Sequence, residues 1–146
     1  MGVIKAGLRI EGTGLSKGRG TMKKINYFEE LIAWQKAREL TKQIYSITKS
    51  GHFSKDFGLR DQIRKASVSI MSNLAEGFER GGRAEFHQFV VIAKGSCAQV
   101  RPQLNVACDA GYLTRDQFEV LMSVGSELSR IIGGLRASLQ GQKEKN

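Results

Sequence analysis

The side chains best suited to chemistry in this sequence are concentrated in one short segment, residues 66–77. Ser69 and Ser72 carry hydroxyl groups, and Asn73 and Glu76 stand at a spacing that places both on one face of a helix. A serine nucleophile needs a base within hydrogen-bond reach, and the sequence offers no histidine near these positions. We therefore predict that Asn73 and Glu76 belong to a structural polar network, and keep a binding pair as the alternative.

Metal and cofactor chemistry lacks ligands at a suitable spacing. The two histidines, His52 and His87, are isolated, and helical di-iron sites need inward Glu-x-x-His pairs that this sequence does not contain. Cys97 and Cys108 are 11 residues apart, about 16 Å along one helix, so they cannot pair there. We predict no enzymatic activity, no metal and no cofactor. Reduced thiols and the lack of a long apolar run favour a cytoplasmic protein.

Four amphipathic patterns predict an all-α fold, an antiparallel up-down-up-down four-helix bundle over residues 22–140. The predicted helices cover residues 29–48, 59–79 and 83–110, and a fourth follows a capping box at Thr114–Gln117. Pro102 should bend the third helix or loosen one of its turns, and Gly111 should end the helix. In the loop over residues 50–58 we expect the aromatic residues Phe53 and Phe57 to fold back onto the end of the bundle.

The two ends of the chain are predicted to be disordered. Residues 1–21 form a basic, Gly-rich leader without an apolar core segment, so they do not resemble a signal peptide. Because Met22 is a natural start, this leader is interpreted either as a misassigned upstream start or as an added extension. Residues 141–146 form a polar tail.

Several apolar residues fall outside the four inward stripes. They are Val68, Met71, Val91, Ile92, Val120, Met122 and Ile131. Together they indicate a second buried face, and so an oligomer. The alternative is that wide inward faces absorb them.

The balance of charge is basic, with a net charge of +9 for the whole chain. A basic protein is biased towards anionic partners, and we predict contacts with nucleic acid, RNA in preference, largely through its phosphates. The predicted contact residues are Arg60, Arg64, Lys65, Lys94 and Arg101. The alternative is an ordinary solvated helix surface paired with nearby carboxylates.

Two aromatic residues could stack on bases, Trp34 and Tyr45. Trp34 lies on the inward stripe of the first helix, which favours core packing for it.

Ordered sequence blocks then resemble a known family. They are Phe28–Ala37, Gln62–Ala66, Ser69–Gly77, Glu85-Phe86-x-x-Phe89, Ala93-x-Gly95-Ser96, Gln103-Leu104 and Gly111–Leu113. In this order they resemble the four-helix-bundle proteins encoded within 23S rRNA intervening sequences, over about residues 27–136. That family is in turn similar to the accessory variability determinants of diversity-generating retroelements.

The resemblance implies an antiparallel four-helix bundle that assembles as a homopentamer and has no enzymatic activity. It also implies nucleic-acid binding through a basic surface, and for the retroelement branch a partnership with a reverse transcriptase. A second hypothesis remains open, in which the protein is a scaffold that binds an acidic protein partner and has no role with nucleic acid.

Overall fold

The computed structural model describes residues 8–11 and 22–144, and the side chains of residues 24–141. Four helices dominate it: α1 (Ile32–Thr48), α2 (Phe57–Glu79), α3 (Arg83–Asp109) and α4 (Arg115–Glu144). Single 3-10 turns precede α1 at Phe28–Glu30 and α2 at Phe53–Lys55. The predicted all-α fold with four helices is confirmed.

Helix starts follow the capping chemistry of the sequence. The carboxylate of Asp56 accepts a hydrogen bond of 3.1 Å from the backbone N–H of Leu59 and so caps α2. At the start of α4, the backbone N–H of Gln117 donates to Thr114 Oγ1 at 3.1 Å, and the Thr114 N–H donates to Gln117 Oε1 at 2.9 Å. This reciprocal pair is the predicted capping box. Helix α3 runs unbroken through Pro102.

One end of the molecule is closed by residues that follow α1 and α3. Gly111 has a φ of +79°, which lets the backbone N–H of Tyr112 donate back to Ala107 at 2.9 Å and ends α3. The Tyr112 ring then stacks on Phe53, with 5.1 Å between ring centroids. The prediction that the loop aromatics fold back is therefore confirmed for Phe53. It is wrong for Phe57, which is 64% exposed because it lies in the first turn of α2.

A short β-ribbon precedes the helices. Strand β1 (Leu8–Glu11) pairs antiparallel with β2 (Met22–Ile25), in a register that sets Leu8 against Ile25. Strand β1 lies within the leader that the sequence predicts to be disordered, at a point where Leu8 and Ile10 alternate with charged residues at the spacing of a strand. The rest of that leader, residues 1–7 and 12–21, lies outside the described residues.

The C-terminal segment also overlaps a region that is predicted to be disordered. Helix α4 continues to Glu144, beyond the point where the disordered tail was expected to begin. Residues 142–144 are Gln, Lys and Glu, which are good helix formers and contain no breaking residue. Residues 145–146 lie outside the described residues.

All four helices contribute to one core. Leu40, Ile70, Leu104 and Leu128 are completely buried within it. Trp34 is only half-buried, because it packs edge-on against Phe28 at the rim, with ring centroids 5.1 Å apart. The Trp34 ring is therefore partly buried by core packing and partly exposed to solvent.

The apolar residues expected outside the inward stripes divide into two groups. Exposed are Val68, Val91, Ile92 and Val120. Met71 and Met122 are half-buried against the core, and Ile131 is buried. The core faces are therefore wide enough to absorb three of the seven residues, and four remain at the surface.

The most extensive helix contact joins α2 and α3. Gly77 is buried at this contact, where an added Cβ would overlap the Cβ of Phe89 and approach a Phe86 ring carbon to 3.1 Å. The Phe89 Cβ is fixed to the backbone, so it cannot move away without moving α3. Glycine at position 77 is therefore a condition for the observed spacing of the two helices.

We expect Gly77→Ala to lower the free energy of unfolding by about 1–3 kcal/mol, because the added methyl group overpacks the α2–α3 contact. Chemical denaturation followed by circular dichroism measures the change. Gly95→Ala is the matched control, since no described atom beyond its chain neighbours and the backbone of its own helix lies within 4 Å of its Cβ position. That variant should be unchanged or more stable by up to about 1 kcal/mol. Equal behaviour of the two variants would contradict the close-approach argument.

Candidate nucleic-acid interface

The five basic residues predicted from the sequence lie at three separate places. Arg60 and Arg64 contact residues of α1 and of the 3-10 turn before α2. Lys65 lines a cleft between α2 and α3. Lys94 and Arg101 lie along the contact between α3 and α4. The structure therefore brings together Arg60 with Arg64 and Lys94 with Arg101, but not all five residues.

The positive charge is concentrated where α1 passes into α2. Residues 42–65 contain six lysine and arginine residues and two aspartates, a net charge of +4. Residues 24–141, whose side chains the structure describes, also carry a net charge of +4. Acidic and basic residues therefore cancel over the rest of that range, and the connection between α1 and α2 holds all of its excess charge.

Arg64 is held in place by two neighbours from α1. Its Nε donates to the hydroxyl of Thr48 at 2.7 Å, and its guanidinium lies 4.5 Å from the centroid of the Tyr45 ring. Thr48 is completely buried, and its hydroxyl donates in turn to the carbonyl of Ile44 at 2.7 Å. No carboxylate pairs with Arg64 within the part of the chain whose side chains are described. Its charge is thus positioned but not neutralised.

Arg60 repeats the arrangement one turn earlier. Its Nη1 donates to the carbonyl of Ser54 at 2.9 Å, and its guanidinium lies 4.8 Å from the centroid of the Phe57 ring. Its Nε also donates to the carboxylate of Asp61 at 2.9 Å. The Asp61 side chain is 66% exposed, and such an exposed ion pair is weak.

Tyr45, Arg64, Arg60 and Phe57 together form what we call the arginine–aromatic row. Phe57, Arg60 and Arg64 follow one another at three and four residues on α2, so they share one face of the helix. Sequence reasoning missed Phe57 as a surface residue because it started the second helix at residue 59. With the helix started at Phe57, the same spacing would have aligned the ring with the two arginines.

The polar segment 66–77 belongs to the contact between α2 and α3. The hydroxyl groups of Ser69 and Ser96 are 2.9 Å apart, and Asn73 Nδ2 donates to the Ser69 carbonyl at 2.8 Å. Asn73 therefore lies in a polar network that reaches across the two helices. Glu76 lies apart from it on the surface, where it accepts a hydrogen bond of 2.8 Å from Arg80.

The cleft beside this network is polar and open. Its volume is about 460 Å³, and Lys65 lies at its α2 edge. The other polar residues that line it are Gln62, Ser69, Ser96, Gln99 and Gln103. Lys65 is exposed there, one residue from Arg64 but turned towards α3. It is the single basic side chain of this cleft.

Lys94 and Arg101 extend over small residues of α4. Lys94 Nζ lies 3.5 Å from the carbonyl of Ser129, and a Cβ at Gly125 would lie 3.4 Å from Arg101 Cγ. The Nε of Arg101 is buried without a hydrogen-bond partner among the described residues. The same holds for His87 Nε2. The stems of the two long side chains thus cover the surface of α4, which is a packing role in addition to their charge.

Cys97 lies between these two cations. It is completely buried, and its thiol donates to the carbonyl of Gly125 at 3.6 Å. Burial raises the pKa of the Cys97 thiol, although Arg101 and Lys94 act in the opposite direction. The thiol therefore stays protonated and is a poor nucleophile.

Two kinds of feature are absent from the described part of the chain. No group of histidine, cysteine, aspartate and glutamate residues there could hold a metal ion. None of its helices combines the length and apolar character needed to cross a membrane.

The described residues define an all-α protein of four helices whose excess positive charge lies at one end. Residues 29–134 match the family model of the 23S rRNA-intervening sequence protein, and the chain belongs to that family. This confirms the resemblance seen in the sequence blocks.

A solved structure has the same fold. It is the crystal structure of a protein with unknown function from the S23 ribosomal protein family of Bacteroides thetaiotaomicron VPI-5482. The match has a TM-score of 0.67 at 21% identity, and covers 73% of this chain and 96% of that one. No curated protein matches the sequence.

We expect the two cysteines to differ in reactivity. In the folded protein, iodoacetamide should modify the half-buried Cys108 and leave Cys97 unmodified, whereas both should react in denaturant. Mass spectrometry identifies the modified residue, and Cys108→Ser provides the control. Rapid modification of folded Cys97 would contradict its burial.

The raised pKa of Cys97 also predicts a pH dependence of stability. The unfolded thiol ionises near pH 9.0 and the folded thiol at a higher pH, so the contribution of Cys97 to the free energy of unfolding should be lost as the pH rises above 9.0.

Proposed function

We propose that the protein is a non-catalytic nucleic-acid-binding protein that binds RNA in preference and contacts mainly its phosphates. The observation that carries this proposal is the excess charge of +4 over residues 42–65, in a range that is otherwise balanced. A polyanion gains affinity from such a patch because each neutralised phosphate releases counterions. Binding through phosphates does not require side chains that recognise individual bases.

Arg60 and Arg64 are the central contacts in this proposal. Each is preset by a hydrogen bond to a neighbouring element, so little side-chain entropy is lost on binding. The planar fork of a guanidinium also suits the paired oxygens of a phosphate. Lys42, Lys49 and Lys55 add flexible charges from the same stretch.

The proposal includes an up-down-up-down arrangement of the helices. Contacts between neighbouring helices run in reversed order. On α2 and α3, Ser69 meets Ser96 while Gly77 meets Phe89. On α3 and α4, Cys97 meets Gly125 while Lys94 meets Ser129. This is the order that antiparallel neighbours produce.

The proposal also includes assembly into a homopentamer, as in the family resemblance. Its support on this chain is the outer side of α3, which we call the neutral face. Every exposed residue of α3 from position 88 to position 106 is uncharged: Gln88, Val91, Ile92, Gly95, Ala98, Gln99, Pro102, Asn105 and Val106. Depletion of charge marks the centre of protein interfaces. A ring would present the basic end several times and add avidity for a long polyanion.

The protein partners stay part of the proposal. The similarity to accessory variability determinants extends it to a reverse transcriptase that shares the same nucleic acid. The scaffold alternative instead places an acidic protein on residues 42–65. A nucleic-acid-binding assay decides between the two hypotheses, because the scaffold hypothesis requires no binding to nucleic acid.

We expect RNA binding that weakens steeply with salt and depends on the two arginines. In fluorescence anisotropy across a salt series, Arg60→Gln with Arg64→Gln should weaken binding and lower the slope of log affinity against log salt by about one per residue. Arg80→Gln with Arg130→Gln is the matched control, because both residues are exposed and lie away from the basic end, Arg80 at the C-terminal end of α2 and Arg130 midway along α4. It should leave the slope nearly unchanged. Absence of salt-sensitive binding to RNA and DNA at low salt would overturn the proposal.

We expect light scattering to give a mass near five protomers, and Ile92→Arg to reduce it. Ile92 is 51% exposed on the neutral face, so an arginine there leaves the fold intact but places a charge inside the interface. Ser123→Arg, at an exposed position of α4, is the control and should keep the mass. A monomeric wild type would refute the assembly, and an unchanged mass for Ile92→Arg would remove the neutral face from it.

A further inference from the structure

We propose that the arginine–aromatic row is a stacking site for unpaired bases, so that the protein prefers single-stranded RNA to duplex RNA. The inference rests on the proposed function and adds what the phosphate contacts cannot supply, which is a preference for one form of the nucleic acid.

The two rings of the row are at the surface, although other rings of the chain lie in the core. Phe57 is 64% exposed and Tyr45 is 42% exposed, whereas Phe53 and Phe86 are each 1% exposed. The chain therefore has room for aromatic residues in its core and keeps these two outside it. Phe53 lies four residues before Phe57 and closes the end of the core, so Phe57 is not needed for that purpose.

Each exposed ring is covered on one side by a guanidinium. Arg64 lies 4.5 Å from the centroid of Tyr45, and Arg60 lies 4.8 Å from that of Phe57. A base can stack on the exposed part of such a ring, or on the outer side of the flat guanidinium, and both modes are common in single-strand recognition. The cations also attract the phosphates that connect successive bases.

The length of the row suits a short unpaired stretch. From Phe57 to Arg64 the helix rises about 10 Å, which is roughly three times the spacing of stacked nucleotides along a strand. In a duplex the base faces are already stacked on each other, so the accessible groups are the sugar–phosphate backbone and the base edges in the grooves. Duplex RNA would therefore gain the electrostatic contacts of residues 42–65 but not the stacking.

The test compares three labelled probes of equal length: a 12-nucleotide oligoadenylate, an abasic oligomer with the same phosphates, and a blunt RNA duplex. Wild-type protein should bind the oligoadenylate about tenfold or more tightly than the abasic oligomer, the size expected for stacking of one base or more. The duplex should show no gain of this size over the abasic oligomer.

Variants then assign the gain to the row. Tyr45→Leu with Phe57→Leu should bring the affinity for the oligoadenylate down to that for the abasic oligomer, a ratio that does not depend on how well Arg60 and Arg64 still contact the phosphates. Tyr45→Phe with Phe57→Tyr keeps both rings and should retain the gain. Tyr27→Leu is the control, since Tyr27 is 67% exposed before α1, outside the row. Circular dichroism checks that each variant is folded.

The outcomes separate the two proposals. Salt-sensitive binding with equal affinity for the oligoadenylate and the abasic oligomer would overturn the stacking site and leave phosphate binding intact. The stacking site is also overturned if the leucine variant keeps the wild-type gain, or if its affinity falls equally for all three probes. Absence of salt-sensitive binding to every probe would overturn both proposals. The wild-type comparison decides even if a variant fails to fold.

Discussion

The close approach of α2 and α3 is the constraint on which the rest of this structure depends. It requires Gly77 against Phe89 at one end, where no side chain fits, and it is tied by the Ser69–Ser96 hydroxyl pair further along. Both contacts are specific to a single rotation of α2 about its axis. A turn of α2 in either direction would drive a side chain into α3 or leave buried hydroxyl groups unpaired, which costs more than the contact gains.

That rotation decides where the charges of α2 lie. With Ser69 and Asn73 held against α3, Arg64 is turned towards Thr48 and Tyr45 of α1, and Arg60 towards Ser54 of the 3-10 turn. Lys65 follows Arg64 directly in the sequence but lies at the α3 side of the helix. The polar segment 66–77 therefore acts on the basic end indirectly. It fixes the orientation of the helix that carries the arginines.

Most of the fold is predictable from the sequence because it rests on local signals. The capping box at Thr114–Gln117 and the left-handed Gly111 act within a few residues, and both are confirmed. The arginine–aromatic row was not predictable in the same way, because Tyr45 and Arg64 meet across two helices. Helical periodicity gives the face of each residue but not the rotation of one helix against the next. Phe57 was missed for a simpler reason, a helix start placed two residues late.

The basic end and the neutral face occupy different parts of the surface, and this separation lets one small protein serve two kinds of contact. The uncharged exposed residues of α3 run from position 88 to position 106, whereas the excess charge lies at residues 42–65. Arg60 and Arg64 contact the 3-10 turn and α1, so an interface built on α3 does not desolvate their charges, whereas Lys65 lies at the edge of the cleft that Gln99 also lines. Conversely, a phosphate chain on Arg60 and Arg64 does not cover α3. Assembly and nucleic-acid binding can therefore strengthen each other through avidity without competing for the same residues.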